Sequence, residues 1–194
     1  MKKSDILSLF RSGNTVFSFK DISLIWGETK ANLVRRRLSY YVKKGELYPV
    51  RRGFYAKDKN YNKYELAVKI YTPSYISFET VLAKAGVIFQ FYGQIFIASY
   101  LTREIKCDSQ VYSFKKIKDS ILTNKTGIEV KDNYFVATSE RAFLDVVYLN
   151  KEYYFDNLDN INWKKVYEIL PIYNNNRMEK KIKKYQEAVQ KELN

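Results

Sequence analysis

The sequence predicts an α+β fold in two parts. Three helices and a β-hairpin occupy residues 1–60, and a mixed α+β domain with a small antiparallel sheet occupies residues 61–194. Three observations carry that reading. Before residue 60, turn residues separate apolar-periodic stretches in the order helix, strand, helix, helix, hairpin. After residue 94, five short β-prone runs follow one another, and helical spacing returns at residue 139. Charge divides at the same place. The 194 residues carry 34 Lys and Arg against 21 Asp and Glu, a net of +13, and the first 60 hold 14 basic and 5 acidic side chains, a net of +9. A surplus concentrated in that way points to a polyanion-facing module.

Each element has a local reason. Ser4 is placed to cap a helix running to Arg11, with Ile6, Leu7, Leu9 and Phe10 as its apolar side, and Gly13-Asn14 breaks it. Thr15-Val16-Phe17 is β-prone. Ser18 precedes a short helix over Asp21–Trp26 that Gly27 stops. The next helix begins at Glu28 or Thr29 and runs through Lys44 to Gly45. Leu47–Arg51, a turn at Arg52-Gly53 and Phe54–Ala56 form the hairpin. In the second part, Tyr64–Tyr71 has helical spacing. Ser77-Phe78-Glu79-Thr80 opens a helix to Ala85 as a loose capping box. Strands are expected at 95–100, 103–107, 110–114, 127–131 and 134–137. Thr138-Ser139-Glu140-Arg141 is a cleaner box, which opens a helix whose face is Ala142, Phe143, Val146, Val147 and Leu149. Helices over 163–170 and 174–193 close the chain. Met178, Ile182, Tyr185 and Val189 form a narrow apolar stripe on the last one.

Helix, helix, basic helix, hairpin is the order of a winged helix-turn-helix. At 100° per residue, Ala31, Val34, Leu38, Tyr41 and Val42 share the inward side of the third helix. Asn32, Arg36, Ser39, Tyr40 and Lys43 fall opposite, Arg35 and Arg37 flank the seam, and Lys30 stands at the start. An amide, hydroxyls and guanidinium groups are the set that reads base edges and grips phosphates. The DNA-binding residues are therefore expected to be Lys30, Asn32, Arg35, Arg36, Ser39, Tyr40 and Lys43, with Arg51 and Arg52 as wing contacts.

Composition excludes much chemistry. There is no histidine, which removes His general bases, Ser-His-Asp triads and His-ligated metals. The one cysteine, Cys107, permits neither an intramolecular disulfide nor a cysteine zinc cage, and reads as an inert thiol in a reducing, cytoplasmic setting. Gly86 and Gly93 stand alone, so there is no glycine-rich phosphate loop. No stretch reaches the roughly 18 apolar residues of a membrane span, and Asp5, Arg11 and Lys20 interrupt any signal-peptide core. No membrane partner, cofactor, metal or catalytic residue is expected. One alternative is a metal-dependent nuclease of PD-(D/E)xK type using Asp119, Glu129 and Lys131, since hard acids and a lysine suffice for that reaction. On a hairpin, Glu129 and Lys131 also share a face as an ordinary exposed pair. Likewise Glu140 suits its capping box, and Arg141 with Asp145 an i, i+4 ion pair.

Residues 33–56, LVRRRLSYYVKKGELYPVRRGFYA, resemble the start of the AbiEi-family antitoxins. The family pattern is a basic helix ending K-x-G-x-L, then a strand, then R-x-G-x-Y. Here those positions are Lys43, Gly45, Leu47, Arg51, Gly53 and Tyr55. Residues 75–82, YISFETVL, are similar to a following family segment, and residues 137–145, ATSERAFLD, to a later one, so the resemblance extends over roughly residues 5–150. It implies a transcriptional regulator of a type IV toxin–antitoxin system. Such proteins bind inverted repeats in their own promoter and repress the operon. They also neutralise a nucleotidyltransferase-type toxin without requiring a stable complex. Two copies are expected on the DNA, and the apolar stripe of the last helix is expected to pack within the chain or to join those copies.

Overall fold

The computed structural model describes residues 4–90 and 92–192. The first part contains α1 (Ser4–Arg11), β1 (Val16–Ser18), α2 (Phe19–Ile25), α3 (Ala31–Lys43), β2 (Tyr48–Arg51) and β3 (Phe54–Ala56). The cap expected at Ser4 lies outside the described side chains. At α2 the cap is explicit: Ser18 Oγ accepts from the Asp21 N–H at 3.1 Å, and Asp21 returns the bond to the Ser18 N–H at 2.9 Å. The third helix starts two residues later than Thr29. Glu28 instead accepts the Lys30 N–H at 3.0 Å, holding the α2–α3 turn. The strands form an antiparallel sheet of order β1-β3-β2. Gly53, at φ +81°, makes the β2–β3 turn that a side chain would strain.

The second part contains α4 (Lys63–Ile70), β4 (Ser74–Ile76), α5 (Glu79–Lys84), β5 (Gln94–Ser99), β6 (Arg103–Cys107), β7 (Gln110–Lys116), α6 (Asp119–Leu122), β8 (Ile128–Lys131), β9 (Tyr134–Ala137), α7 (Ser139–Leu149), α8 (Trp163–Ile169), a 3-10 turn at Leu170–Tyr173 and α9 (Asn176–Glu192). The sheet is larger than the sequence suggests and not wholly antiparallel. Its order is β6-β7-β5-β4-β9-β8, with β5–β7 and β4–β9 parallel. Only three residues join β5 to β6, a spacing that reads as a hairpin, yet β7 sits between them. Asp108 and Ser109, both at positive φ (46° and 64°), make the tight β6–β7 turn.

Apolar burial falls into three clusters. Ile6, Leu9, Phe17, Ile22, Val34, Leu38, Tyr41 and Leu47 fill the first part. On one face of the large sheet, α4 packs together with Val16, Val50 and Ala56 from the first part. Strand β1 thus serves both parts, Phe17 facing one core and its neighbour Val16 the other, as strand alternation requires. The opposite face carries α5, α7, α8 and α9. There Met178 and Ile182 of the stripe are buried within the chain at 2 % and 0 % exposure, while Tyr185 and Val189 pack at its edge.

Beneath α7 lies a buried polar network. The Arg141 guanidinium pairs with Asp145 at 3.3 Å and donates to the carbonyls of Thr126 and Ile121, both at 2.8 Å, and to the Tyr75 hydroxyl at 2.9 Å. Asp145 also accepts from the hydroxyls of Tyr75 (2.9 Å), Ser77 (2.7 Å) and Tyr173 (2.6 Å). Burial pushes the Asp145 carboxyl up, against the pull of Arg141 and those three donors. Burial and the Asp145 charge hold both phenols well above their usual value, so they remain donors. Two sequence readings change here. Ser77 is no cap; its hydroxyl belongs to this network, and α5 begins after Phe78, whose φ is 55°. Thr138 does cap α7, accepting from the Arg141 N–H, but Glu140 is buried and accepts from the Asn162 N–H at 3.4 Å. Gly127 closes the site. A Cβ there would stand 2.8 Å from Ile169 and 2.9 Å from the Arg141 Cβ, distances only glycine avoids.

Candidate nucleic-acid interface

The site is built on α3. Its inward side is set by Val34, Leu38 and Tyr41, at 0 %, 1 % and 3 % exposure. Ala31 departs from that side. As the first helical residue it is exposed and lines a groove with Phe19, Leu24 and Gly27. Beyond α3, Gly45 at φ +72° takes the left-handed position that ends the helix, and Leu47 re-enters the core. The K-x-G-x-L pattern is thus a helix stop followed by an anchor.

With that side fixed, Lys30, Asn32, Arg35, Arg36, Ser39, Tyr40 and Lys43 are all exposed. Asn32 Oδ1 accepts from Arg35 Nη1 at 3.2 Å, and the Arg35 guanidinium lies 5.6 Å from the Phe19 ring centre. Tyr40 meets Tyr41 edge-on at 5.5 Å, and Lys44 Nζ sits 4.7 Å over its ring. Arg37, at the seam, turns back to Asp5 (3.5 Å) and Glu28 (3.4 Å) and is spent on holding α1 and the α2–α3 turn. The free face therefore offers an amide, two hydroxyls and two guanidinium groups framed by lysines, without an acid among them.

The two arginines of the hairpin separate. Arg52 is exposed at the tip, beside Gly53, whose carbonyl accepts from the Phe19 N–H at 2.8 Å and ties the tip to α2. Arg51 is half-buried. Its Nη1 is enclosed without a hydrogen-bond partner, and its guanidinium lies 5.9 Å from the Phe54 ring centre. Its charge also reaches Cys107 in the second part, opposing the burial that pushes that thiol up. The pattern R-x-G-x-Y hides this difference, because Val50 must enter the shared core and a register shift between Pro49 and Arg51 then resets the strand. We expect Arg52→Ala to weaken binding to any duplex and to lower the salt slope by about 1, while Arg51→Ala leaves that slope unchanged. Anisotropy titrations at several salt concentrations check this.

Sequence reasoning missed how the interface is braced. The Asp108 carboxylate accepts from Tyr48 of β2 at 2.9 Å and from Tyr61 at 3.0 Å, so the β6–β7 turn grips the wing. Buried Glu65 accepts from the Thr15 N–H at 2.9 Å and its hydroxyl at 2.7 Å. Lys69 joins it (3.2 Å) to Asp21 (3.4 Å) and to the Val16 carbonyl (2.8 Å). A sequence holds no local signal for pairs some 50 residues apart.

Asp119, Glu129 and Lys131 do not assemble into a metal centre. Asp119 opens α6, and Glu129 and Lys131 are exposed on the edge strand β8. Among the described residues, no group of three or more acids or cysteines could hold a metal ion. Nor is any helix there long and apolar enough to cross a membrane.

Residues 4–56 match the family model described as transcriptional regulator, AbiEi antitoxin. The match spans α1 to β3, the whole of the first part, and a little over a quarter of the chain. No curated protein matches it.

Proposed function

We propose that the chain is a DNA-binding transcriptional repressor of its own toxin–antitoxin operon, acting in the cytoplasm as the antitoxin to a nucleotidyltransferase-type toxin. The observation that carries this reading is the α3 face: seven polar or cationic side chains exposed together on a helix whose other side is locked into a core. The match over residues 4–56 supports it. Helix α3 enters the major groove, with Asn32 and Arg36 reading bases, Lys30, Arg35, Ser39, Tyr40 and Lys43 positioning the helix on the backbone, and Arg52 touching phosphate from the wing. Residues 1–60 act as the DNA-binding domain and residues 61–194 as the antitoxin domain. One winged helix reads too few base pairs to find one promoter. Two copies therefore bind an inverted repeat, with half-site centres about 10 base pairs apart or a multiple of that. Antitoxicity needs no stable complex with the toxin.

Salt dependence tests the reading directly. With about 6 phosphates contacted per bound unit, the logarithm of the affinity should fall against the logarithm of salt with a slope near −5. A flat dependence removes nucleic acid as the partner.

A further inference from the structure

A cavity of about 550 Å³ opens where the chain leaves the wing, between α4, α5 and the starts of β5 and β7. That volume lies within the range of about 300–1,000 Å³ typical of small-molecule sites. Its charge is one-sided. Lys63 and Lys84 are exposed on its wall, and among the described residues no carboxylate lies within ion-pair distance of either. Both are placed nonetheless: Lys63 Nζ lies 3.5 Å from Gln110 Oε1, and Lys84 Nζ sits 4.1 Å over the Tyr64 ring. The acid on the wall, Glu79, is neutralised by Lys115 at 3.0 and 3.1 Å. The remaining lining includes Tyr61, Tyr92 and the Gln94 amide, while the Gln110 amide is committed within the chain, its Nε2 donating to the carbonyls of Gly93 (2.9 Å) and Val111 (3.0 Å).

Two lysines without acids call for an anion. Tyrosines in the lining suit a planar ring, and the Gln94 amide can donate to and accept from its edge. We propose that this cavity binds a nucleoside phosphate, with Lys63 and Lys84 on the phosphates and the base among the tyrosines and Gln94. The ligand would touch Tyr61, whose hydroxyl is bonded to the Asp108 turn that also holds Tyr48 of the wing. Occupancy of the cavity is thereby linked to the seating of the wing.

Calorimetric titration of the full chain tests this without DNA. The probes are ATP, GTP, CTP and UTP, with adenosine, guanosine, cytidine, uridine and pyrophosphate beside them. At least one triphosphate should bind saturably at one per chain with a dissociation constant of about 10⁻⁶ to 10⁻⁴ M, and its nucleoside and pyrophosphate about tenfold or more weaker. Lys63→Ala with Lys84→Ala should weaken it about tenfold. Ala83→Tyr, which fills the cavity from an exposed position on α5, should abolish it. Arg36→Ala with Arg52→Ala should leave it unchanged. Absence of saturable binding overturns the proposal. So does pyrophosphate binding as tightly as the nucleotides, or loss in the Arg36 and Arg52 variant while the cavity variants still bind. Each outcome is independent of whether the α3 face binds DNA.

Discussion

Replacing Asp145 by alanine is expected to cost about 3–5 kcal/mol of folding stability, roughly 6–20 °C in Tm for a chain of this size. Asp145 and Arg141 are both at 0 % exposure, and Asp145 takes the charge-assisted bond of Arg141 and three hydroxyl protons. Removing it leaves a guanidinium buried without its counter-charge, orphans Ser77 and Tyr75 as donors, and leaves Tyr173 only the Arg141 carbonyl at 3.5 Å. The paired replacement Arg141→Met with Asp145→Leu removes both charges, so its cost should fall well below the sum of the two single changes. Urea and thermal denaturation of the unaltered chain, the single variants Arg141→Met and Asp145→Leu and the double variant provide the cycle. A loss under about 1 kcal/mol for Asp145→Ala would show the pair to be dispensable.

Truncation after Asn174 should lower stability by more still. It removes Met178 and Ile182 from the core, each the kind of side chain whose loss costs about 2–5 kcal/mol. It also removes Tyr185, which packs on Phe143 and Phe155 and donates to the Tyr153 carbonyl at 2.6 Å. Because these contacts lie within one chain, the truncated protein should melt earlier by the same amount at every protein concentration. A truncated chain with unchanged Tm, and full-length stability that climbs with concentration, would assign the stripe to an interface between copies instead.

What could be read in advance follows from how local each signal is. The α3 face was legible because Val34, Leu38 and Tyr41 recur at helical spacing, and the hairpin because Gly53 marks its turn. Strand β4 was not. It has three residues, all buried, so it shows no alternation. The one-turn α6 was too short to show a period. The placement of β7 between β5 and β6 was invisible because strand order follows burial across the whole sheet: β5, buried along nearly its whole length, takes an interior place, and the mostly exposed β6 takes the edge. Ser77 and Glu140 both fitted a capping pattern, and both serve tertiary partners instead, Asp145 and the Asn162 N–H. The two later segments of the family resemblance meet in one place: Tyr75 and Ser77 from the first bind Arg141 and Asp145 from the second. They are therefore a core. The different settings of Arg51 and Arg52 had no local signal either, because Arg51 ends β2 after a register shift set by the entry of Val50 into the shared core, while Arg52 stands in the turn.

The central claim is that the α3 face reads DNA sequence. Its most direct test is an anisotropy titration of the chain, at fixed salt, against the duplex lying upstream of its own coding sequence and against a scrambled duplex of equal length. The full chain should prefer the upstream duplex by about 10³ or more. Asn32→Ala with Arg36→Ala should lose about 1–3 kcal/mol per base contact on that duplex while holding its affinity for the scrambled one. Equal binding of the two duplexes by the unaltered chain, or an unaltered preference in the variant, would contradict it.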